Sequence, residues 1–340
     1  MTVYVIGAGA SKHAGYPLAY SIGKDLLAWM KSCNASIFEY PLVAEQIREI
    51  FGQLEDVDDF FEHVTQLVKK HQSGTVEQRM LKAIAANQRY AAIEAIRDWF
   101  LEIRGCGQDD AYADFAAKII QPGDCILTFN YDVSLDRRLN EFGKWHIGNG
   151  YGFTVAGFPA NSPTKLFKLH GSTNWLALMD GLPRGGAALV SCVFASPRPA
   201  IGTRELEFLG YPNSQDEIFV GNQPALPLMI VGRSKDFSFD TSMGLEYVQF
   251  WEGLWQQAKV ALTNAARVVI CGYSLPATDK AACNLLMNFP RKDAEILVLS
   301  GKGRTEEIVS LYKQKDFKNV RPANEIHFED WVSEFSTAMT

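Results

Sequence analysis

Four short groups of residues stand directly after apolar, strand-like runs, and their types suit chemistry on a nucleotide. They are Gly7-Ala8-Gly9-Ala10-Ser11, Thr128-Phe129-Asn130-Tyr131-Asp132, Leu169-His170-Gly171-Ser172 and Gly272-Tyr273-Ser274-Leu275. A glycine turn lets backbone N–H groups approach phosphate oxygens, and amides and carboxylates hydrogen-bond to sugar hydroxyls. A histidine exchanges a proton near neutral pH. The groups therefore predict a nucleotide site with proton-transfer chemistry.

The first group matches the dinucleotide-binding fingerprint only in part. Gly7-Ala8-Gly9 follows the apolar run Val3–Ile6 and precedes a helical pattern, so a pyrophosphate would face free N–H groups and the positive end of a helix. Lys12 stands where the third glycine belongs, and no second strand offers an acidic residue about 20 positions later. An ordinary dehydrogenase is disfavoured. A tight turn without a ligand is the alternative for these residues alone.

The other three groups also have a structural interpretation beside the chemical one. Asn130 can position a water or a ribose hydroxyl while Asp132 accepts hydrogen bonds from a sugar, or the two form a turn and a helix N-cap. His170 is either a proton acceptor or a satisfied core histidine. Gly272-Tyr273-Ser274 either contacts a phosphate or ribose or turns the chain, with Asp279 capping the next helix.

The elements that must position these groups alternate between strand and helix patterns. Predicted strands are Val3–Ile6, Cys125–Phe129, Lys165–Leu169, Arg267–Cys271 and Ala294–Leu299, and predicted helices are Leu18–Lys31, Val133–Phe142, Tyr247–Ala265 and one that starts at Asp279. The alternation predicts an α/β fold, a Rossmann-like parallel sheet with helices on both faces. Ligands of such sheets bind at the carboxyl ends of the strands, where all four groups lie.

Two stretches interrupt this alternation within a chain that we predict to be a single domain over residues 1–340. Residues 36–120 are predicted to be a helical insert, because apolar positions from Val43 to Val68 recur at alternating spacings of four and three, with Asp58 and Asp59 as a cap inside it. Residues 178–245 are rich in Gly and Pro and are predicted to be a loop-rich subdomain. Short β-like runs occur there at Ala188–Ala195 and Ile218–Val220.

Composition excludes several classes of function. The 33 basic and 39 acidic residues give a net charge of -6, so we expect no direct nucleic-acid partner. The six cysteines include no Cys-x-x-Cys pair, which argues against a zinc module or a disulfide framework, and we predict no metal. No apolar run approaches the roughly 18 residues of a membrane span, and the chain starts with a strand-like run instead of a leader. We therefore expect a cytoplasmic protein that does not bind membranes.

The ordered set of groups resembles the sirtuin superfamily. Gly-Ala-Gly-x-Ser, Thr-x-Asn-x-Asp, His-Gly and Gly-x-Ser follow one another at successive strand ends, and Gly15-Tyr16-Pro17 is similar to the sirtuin Gly-Ile-Pro. Leu18-Ala19-Tyr20 replaces the acidic-aromatic-arginine sequence of deacetylating sirtuins, and their four zinc cysteines are missing. In both respects the chain resembles the bacterial sirtuin-like branch that cleaves NAD, often as the effector of anti-phage defence systems.

The resemblance implies that NAD is a substrate and that no metal is used. It implies that Asn130 positions water or ribose, and that His170 relays a proton from a ribose hydroxyl as nicotinamide leaves through an oxocarbenium-like state. The products would be nicotinamide and ADP-ribose. The NAD-binding residues that it implies are Gly7, Ala8, Gly9, Ser11, Pro17, Asp132, Gly272 and Ser274.

Two other functions use the same residues. One is an NAD-dependent protein deacylase, which the missing zinc cysteines disfavour, and the other is a sensor that binds NAD or ADP-ribose without turnover. Because uncontrolled NAD loss is toxic, a hydrolase would be held inactive until triggered, and the chain shows no second recognisable sensing domain. We therefore expect a homo-oligomer, or a separate sensor or ATPase partner, with the helical insert or the loop-rich segment as contact surface.

Overall fold

The computed structural model describes most of the chain and divides it into two compact units. The described residues are 1–33, 40–51, 60–62, 66, 75, 88–89, 91–100, 102–103, 109–154, 161–178, 199–200, 203–204, 206–208, 219–220, 223–231, 245–325 and 327–337. The first unit contains Met1–Leu18, Ile103–Ser172 and Trp251–Thr340, and the second contains Ala19–Glu102 and Thr173–Phe250. All four groups of candidate site residues belong to the first unit.

The strands and helices have the following bounds in chain order. The strands are β1 Thr2–Ile6, β2 Cys125–Thr128, β3 Lys165–Lys168, β4 Gly171–Leu178, β5 Pro199–Ala200, β6 Thr203–Arg204, β7 Leu206–Phe208, β8 Phe219–Val220, β9 Gln223–Met229, β10 Arg267–Cys271, β11 Glu295–Leu299 and β12 Asn319–Pro322. The helices are α1 Ala8–Ser11, α2 Ile22–Ser32, α3 Tyr40–Phe51, α4 Asp110–Asp114, α5 Ser134–Glu141, α6 Ile147–Gly150, α7 Leu245–Asn264, α8 Lys280–Met287, α9 Arg304–Gln314 and α10 Phe328–Thr337. Lys12–Ala14 forms a 3-10 turn and Phe115–Ile119 a π-helical turn. None of the helices described here combines the length and the apolarity needed to cross a membrane.

A six-stranded parallel sheet is the centre of the first unit. Its spatial order is β12-β11-β10-β1-β2-β3, and each neighbouring pair is parallel. The chain therefore builds one half of the sheet outward from β1 to β3 and the other half outward from β10 to β12, which is the doubly wound arrangement. The predicted α/β, Rossmann-like fold is confirmed. The two halves diverge between β1 and β10, where such sheets form a ligand crevice.

The middle strands are continuous apolar runs because both faces of the sheet are covered. Val3, Val5 and Ile6 of β1 are completely buried, as are Val268 and Ile270 of β10. This burial explains why periodicity within these strands is weak although their position is easy to predict.

Predicted and observed elements differ mainly at their ends. The five predicted strands are found within one residue of their predicted bounds, and Asp279 caps α8 by accepting a hydrogen bond from the Ala282 amide. Helix α2 begins at Ile22 instead of Leu18, because residues 19–21 form a turn. Strand β12 was not predicted. It is an edge strand with one partner and a proline, so its sequence has little apolar pattern.

The second unit contains helices and short antiparallel strands. Residues 40–51 and 91–100 of the predicted insert are helical, and the Tyr40 hydroxyl donates to Asp98 Oδ2 at 2.6 Å. Strands β7, β4, β9 and β8 form a four-stranded sheet, and β5 pairs with β6. The predicted run Ala188–Ala195 and the predicted caps at 58–59 lie outside the described residues, as does Ile218.

Candidate functional site

The sheet register brings the four groups of candidate residues to one edge. Ile6 pairs with Thr128 and with Cys271, and Thr128 pairs with Lys168. The ladder continues for one residue, because the amides of Gly7, Phe129 and Leu169 donate to Cys271 O, Ile6 O and Thr128 O at 2.9, 3.1 and 2.9 Å. The loops that follow therefore start at the same level, at the carboxyl edge of the sheet.

The glycine turn packs its backbone directly against the loop that follows β10. The Gly9 amide donates to Gly272 O at 2.9 Å, and a Cβ on Gly7 would lie 2.5 Å from Tyr273 Cα. A Cβ on Gly272 would lie 2.2 Å from the Ala10 nitrogen, and Gly272 has a φ of +63°. These glycines are required for close approach of two loops.

This packing changes how the turn can meet a ligand. The sequence predicted that the free N–H groups of the turn face a phosphate. The amides of Gly7 and Gly9 instead donate to Cys271 O and Gly272 O. Ala8 and Gly9 keep partial exposure at the edge. The turn thus presents an accessible surface, but two of its donors hold the neighbouring loop.

Asn130 is held by a hydrogen-bonded network that reaches back to the glycine turn. Its Nδ2 donates to Gly7 O at 3.0 Å and to Ser11 Oγ at 2.8 Å. Ser11 Oγ donates to Asp132 Oδ2 at 2.8 Å and lies 2.7 Å from the Tyr112 hydroxyl. Because a serine hydroxyl carries one proton, Tyr112 is the donor in its contact with Ser11. Ser11 is buried, whereas Asn130 is partly exposed.

Asp132 lies inside this network, and protein groups bind both of its oxygens. Oδ1 accepts a hydrogen bond from the Ser134 amide at 3.1 Å, which forms a turn at the start of α5, and Oδ2 accepts from Ser11. Burial raises the pKa of Asp132, and the opposing effects of Lys168 and of the Ser11 hydrogen bond are smaller.

A buried lysine, Lys168, also contacts this network. Lys168 Nζ donates to Asp132 O and lies 3.2 Å from Asp136 Oδ2, and both of these side chains are 1% exposed. The Tyr151 hydroxyl donates to the other oxygen of Asp136. The sequence suggested no role for Lys168, because its position in β3 gives no signal that its side chain is buried.

His170 lies in an aromatic environment and faces a second buried aspartate. Its ring centroid is 5.0 Å from that of Phe129 and 6.4 Å from that of Trp255. His170 Nε2 lies 3.0 Å from Asp279 Oδ2, with side-chain exposures of 4% and 2%. Asp279 was predicted only as a helix cap, and its pairing with His170 depends on tertiary structure.

Asp279 also accepts a hydrogen bond from the Tyr273 hydroxyl at 2.8 Å, through the same Oδ2. Burial acts to raise the pKa of Asp279. The close contact with His170 and its charge, together with the Tyr273 hydroxyl, outweigh burial and lower that pKa. Burial and the negative charge of Asp279 raise the pKa of Tyr273 well above its usual range, so Tyr273 is a neutral donor.

The loop that carries Ser274 is fixed from the β11 side of the sheet. Arg304 Nε donates to Ser274 O at 2.6 Å, and its guanidinium also donates to Leu275 O at 3.0 Å. Ser300 Oγ donates to Tyr273 O at 3.0 Å. Ser274 itself is exposed. The sequence did not identify Arg304 or Ser300, although both lie just after a predicted strand end.

The predicted NAD-binding residues differ in exposure. Gly7, Ser11 and Asp132 are buried, Ala8, Gly9, Pro17 and Gly272 are partly exposed, and Ser274 is exposed. Pro17 follows Gly15, whose φ of +86° ends the 3-10 turn, and Tyr16, whose hydroxyl lies 3.0 Å from Ser134 Oγ. In the part of the chain that the structure describes, no group of three or more His, Cys, Asp or Glu residues is arranged to hold a metal ion.

Comparisons with known proteins give structural matches alone. No family model and no curated protein matches the sequence. A complex of SIR2 with an inhibitor, 2'-O-acetyl-ADP-ribose and a deacetylated p53 peptide aligns over 100% of this chain and 92% of its own, with 13% identity and a TM-score of 0.40. A complex of a Sir2 homologue with NAD aligns over 100% and 90%, with 11% identity and a TM-score of 0.43. Sir2Tm bound to a propionylated peptide aligns over 100% and 93%, with 13% identity and a TM-score of 0.37.

Proposed function

We propose that this chain is a sirtuin-like NAD hydrolase. In the reaction, water replaces nicotinamide at the ribose carbon, and the products are nicotinamide, ADP-ribose and a proton. The observation that carries the proposal is that Asn130 and His170 follow β2 and β3, neighbouring parallel strands whose carboxyl ends lie at the same edge of the sheet. An amide and an imidazole at this edge supply a group that orients a hydroxyl and a group that accepts its proton.

The contacts of Asn130 support a positioning role in this reaction. Its amide nitrogen is bound by Gly7 O and Ser11 Oγ, so its side-chain orientation is fixed before any ligand binds. With Nδ2 used in this way, the atom that we assign to water or to a ribose hydroxyl is Oδ1. A preorganised acceptor costs little entropy when the reaction occurs.

His170 is the proposed proton acceptor. It takes a proton from a ribose hydroxyl while the bond between ribose and nicotinamide breaks, and it returns that proton once water has added. The aromatic environment of Phe129 and Trp255 limits water around the ring. The carboxylate of Asp279, whose Oδ2 lies 3.0 Å from Nε2, favours the protonated ring that this step creates.

The remaining contacts divide between the two ends of NAD. We assign Gly7, Ala8, Gly9 and Ser11 to the pyrophosphate side, and Asp132, Gly272 and Ser274 to the adenosine side. Pro17 is a further proposed NAD-binding residue. The buried residues of this set do not contact NAD directly but hold the residues around it. Gly7 permits the close approach of the loop after β10, and Asp132 orients Ser11. The exposed Ser274 hydroxyl is a direct contact.

Water is the proposed acceptor of ADP-ribose instead of an acyl-lysine. The sequence has Leu18-Ala19-Tyr20 after Gly15-Tyr16-Pro17, and its six cysteines form no Cys-x-x-Cys pair. Both features resemble the NAD-cleaving branch. We further propose that the protein acts in the cytoplasm as an effector of bacterial anti-phage defence, and that a homo-oligomer or a separate sensor or ATPase controls it.

Chromatography of the products formed by the purified full-length chain from NAD, with and without an acylated peptide, tests the proposal. We expect nicotinamide and ADP-ribose without peptide, and a loss of about 10²-fold or more in Asn130→Ala and His170→Ala. Asn140→Ala and His327→Ala are matched controls, because both residues are exposed. They should keep wild-type turnover.

Three outcomes would contradict parts of the proposal. Release of nicotinamide only with the acylated peptide would identify a deacylase. Tight binding of intact NAD without turnover, measured by calorimetry, would identify a sensor. Undiminished turnover in Asn130→Ala or His170→Ala would remove the role assigned to that residue.

A further inference from the structure

Asp279 holds two different elements with its two carboxylate oxygens. Oδ1 accepts a hydrogen bond from the Ala282 amide at 3.2 Å and caps α8. Oδ2 faces His170 Nε2 at 3.0 Å and accepts from the Tyr273 hydroxyl at 2.8 Å. A helix cap needs only one of these oxygens, and a neutral residue such as asparagine supplies it equally well. The cap therefore does not explain why a carboxylate oxygen, Oδ2, faces His170 and Tyr273.

The surroundings of Oδ2 are those of an orienting carboxylate. The side chain of Asp279 is 2% exposed, so water does not weaken its interaction with His170. Tyr273 donates to the same oxygen and stacks on Phe129, with ring centroids 4.2 Å apart and planes 18° apart. Phe129 in turn contacts His170. The carboxylate and the imidazole are thus fixed relative to each other from both sides.

We propose that Asp279 is a positioning residue for His170, which keeps Nε2 protonated and orients the ring. The inference rests on the proposed function, because it supplies the partner that a proton-accepting histidine requires. Because the carboxylate of Asp279 lies 3.0 Å from Nε2 and favours a proton there, the nitrogen that we assign to take the ribose proton is Nδ1. The resulting imidazolium then lies against a buried anion. A carboxylate that fixes tautomer and orientation in this way acts through the histidine and does not touch substrate.

The charge state of the pair agrees with this role. The close contact with His170 and its charge, together with the Tyr273 hydroxyl, outweigh burial and lower the pKa of Asp279, so it is ionised at neutral pH. The other titratable groups that the structure describes around Asp279 are Tyr273 and Cys283. Burial and Asp279 raise the pKa of both, so both are neutral. Asp279 is therefore the anion of this group.

Asp279→Asn is the sharpest variant, because asparagine keeps the cap and the size of the side chain. It replaces Oδ2 by an N–H₂ donor or turns it toward the cap, which leaves the Nε2–H of His170 without its anionic acceptor. We expect the Nδ1–H tautomer to become dominant. We also expect kcat for NAD to fall about 10²-fold or more with little change in KM, because the loss affects proton transfer and not binding.

Nitrogen NMR of ¹⁵N-histidine-labelled full-length protein gives a readout that a merely structural role would not move. The His170 signal is assigned by its absence in His170→Gln. We expect the wild type to show the neutral Nε2–H tautomer, and Asp279→Asn to lose it at the same pH. Tyr273→Phe is the matched control, since it removes the other donor to Oδ2 and keeps the stack on Phe129. It should retain the wild-type tautomer.

The two readouts separate the inference from the function on which it rests. If the wild type does not hydrolyse NAD, the proposed function fails, while the tautomer still tests the positioning role. If the wild type hydrolyses NAD and Asp279→Asn keeps both kcat and the His170 spectrum, the positioning role is overturned and the hydrolase stands. A wild-type His170 in the Nδ1–H form overturns it even if Asp279→Asn does not fold.

Discussion

Asp132 and Asp279 are both buried at the carboxyl edge of the same sheet, yet their pKa values are shifted in opposite directions. Burial raises the pKa of Asp132, and neither Lys168 nor the Ser11 hydroxyl compensates for it. For Asp279, the contact with His170 and the Tyr273 hydroxyl outweigh burial. Burial alone therefore does not decide the direction in which the pKa of a carboxyl group shifts, since direct donors and counter-charges also contribute.

The difference suggests different roles for the two sides of the site. Around Asp132, the carboxyl oxygens accept from the Ser11 hydroxyl and the Ser134 amide, and Ser11 in turn helps to hold Asn130 in place. Around Asp279, an anion faces an imidazole and can stabilise a proton on it. The contacts on the Asp132 side fix the orientation of side chains, whereas the Asp279 side places an anion beside an imidazole.

The largest effect on stability should come from removal of Lys168, the buried cation that contacts Asp132 and Asp136. Lys168→Met leaves Asp136 buried with Tyr151 as its remaining described donor, and we expect a loss of about 3–5 kcal/mol in the free energy of unfolding. Denaturant titration measures this loss. Lys165→Met, at the start of the same strand, removes only a hydrogen bond to Asn149 O and should cost about 1 kcal/mol.

The double variant Lys168→Met, Asp136→Leu should recover much of that stability, because it removes the unpaired charge as well as its partner. If Lys168→Met were no less stable than Lys165→Met, the buried Lys168 would make no larger contribution to the free energy of unfolding than Lys165, which would contradict the prediction.

A smaller effect is expected where the loops of the two sides meet. Gly272→Ala places a Cβ 2.2 Å from the Ala10 nitrogen, and we expect a cost of about 3 kcal/mol and weaker nucleotide binding. Gly143 also has a φ of +63° but has no neighbour within 4 Å of a built Cβ. Gly143→Ala should therefore cost only about 1–2 kcal/mol. Equal melting temperatures for the two variants would contradict this prediction. They would show that the positive φ, which both glycines share, and not the packing of the two loops, determines the cost of Gly272→Ala.

The smallest effect concerns the sign of the pH dependence. The pKa of Asp279 is lowered, so its contribution to stability is present above the unfolded value of about 3.9 and is lost as the pH falls through the folded pKa. Asp279→Asn should therefore destabilise the protein by about 1–2 kcal/mol at pH 7, and the difference should shrink below about pH 4.

Asp132 should behave in the opposite way. Its pKa is raised, so ionisation costs stability as the pH rises from the unfolded value through the folded pKa. Asp132→Asn should stabilise the protein slightly at pH 7, and the gain should disappear at low pH. Melting temperatures of both variants across this pH range check the contrast, and changes of the same sign would refute it.

Much of the fold and part of the site could be predicted from the sequence. Long apolar runs that end in polar turns identify buried parallel strands, because such strands are covered on both faces. The same turns place Asn130, His170 and the glycines of the candidate site at one edge of the sheet, because the carboxyl ends of parallel strands meet there. The edge strand β12 was missed, since a strand with one partner and exposed residues carries no such pattern.

Only the tertiary structure decided what each polar residue contacts. The sequence gives Asp132 and Asp279 the same type and a similar place before a helix, and both fit a local turn or cap. The fold then places Ser11 against one and His170 against the other, through a register that joins residues far apart in the chain. Charge at these positions depends on distances of about 3 Å between separate loops, and periodicity along one segment holds no information about such distances.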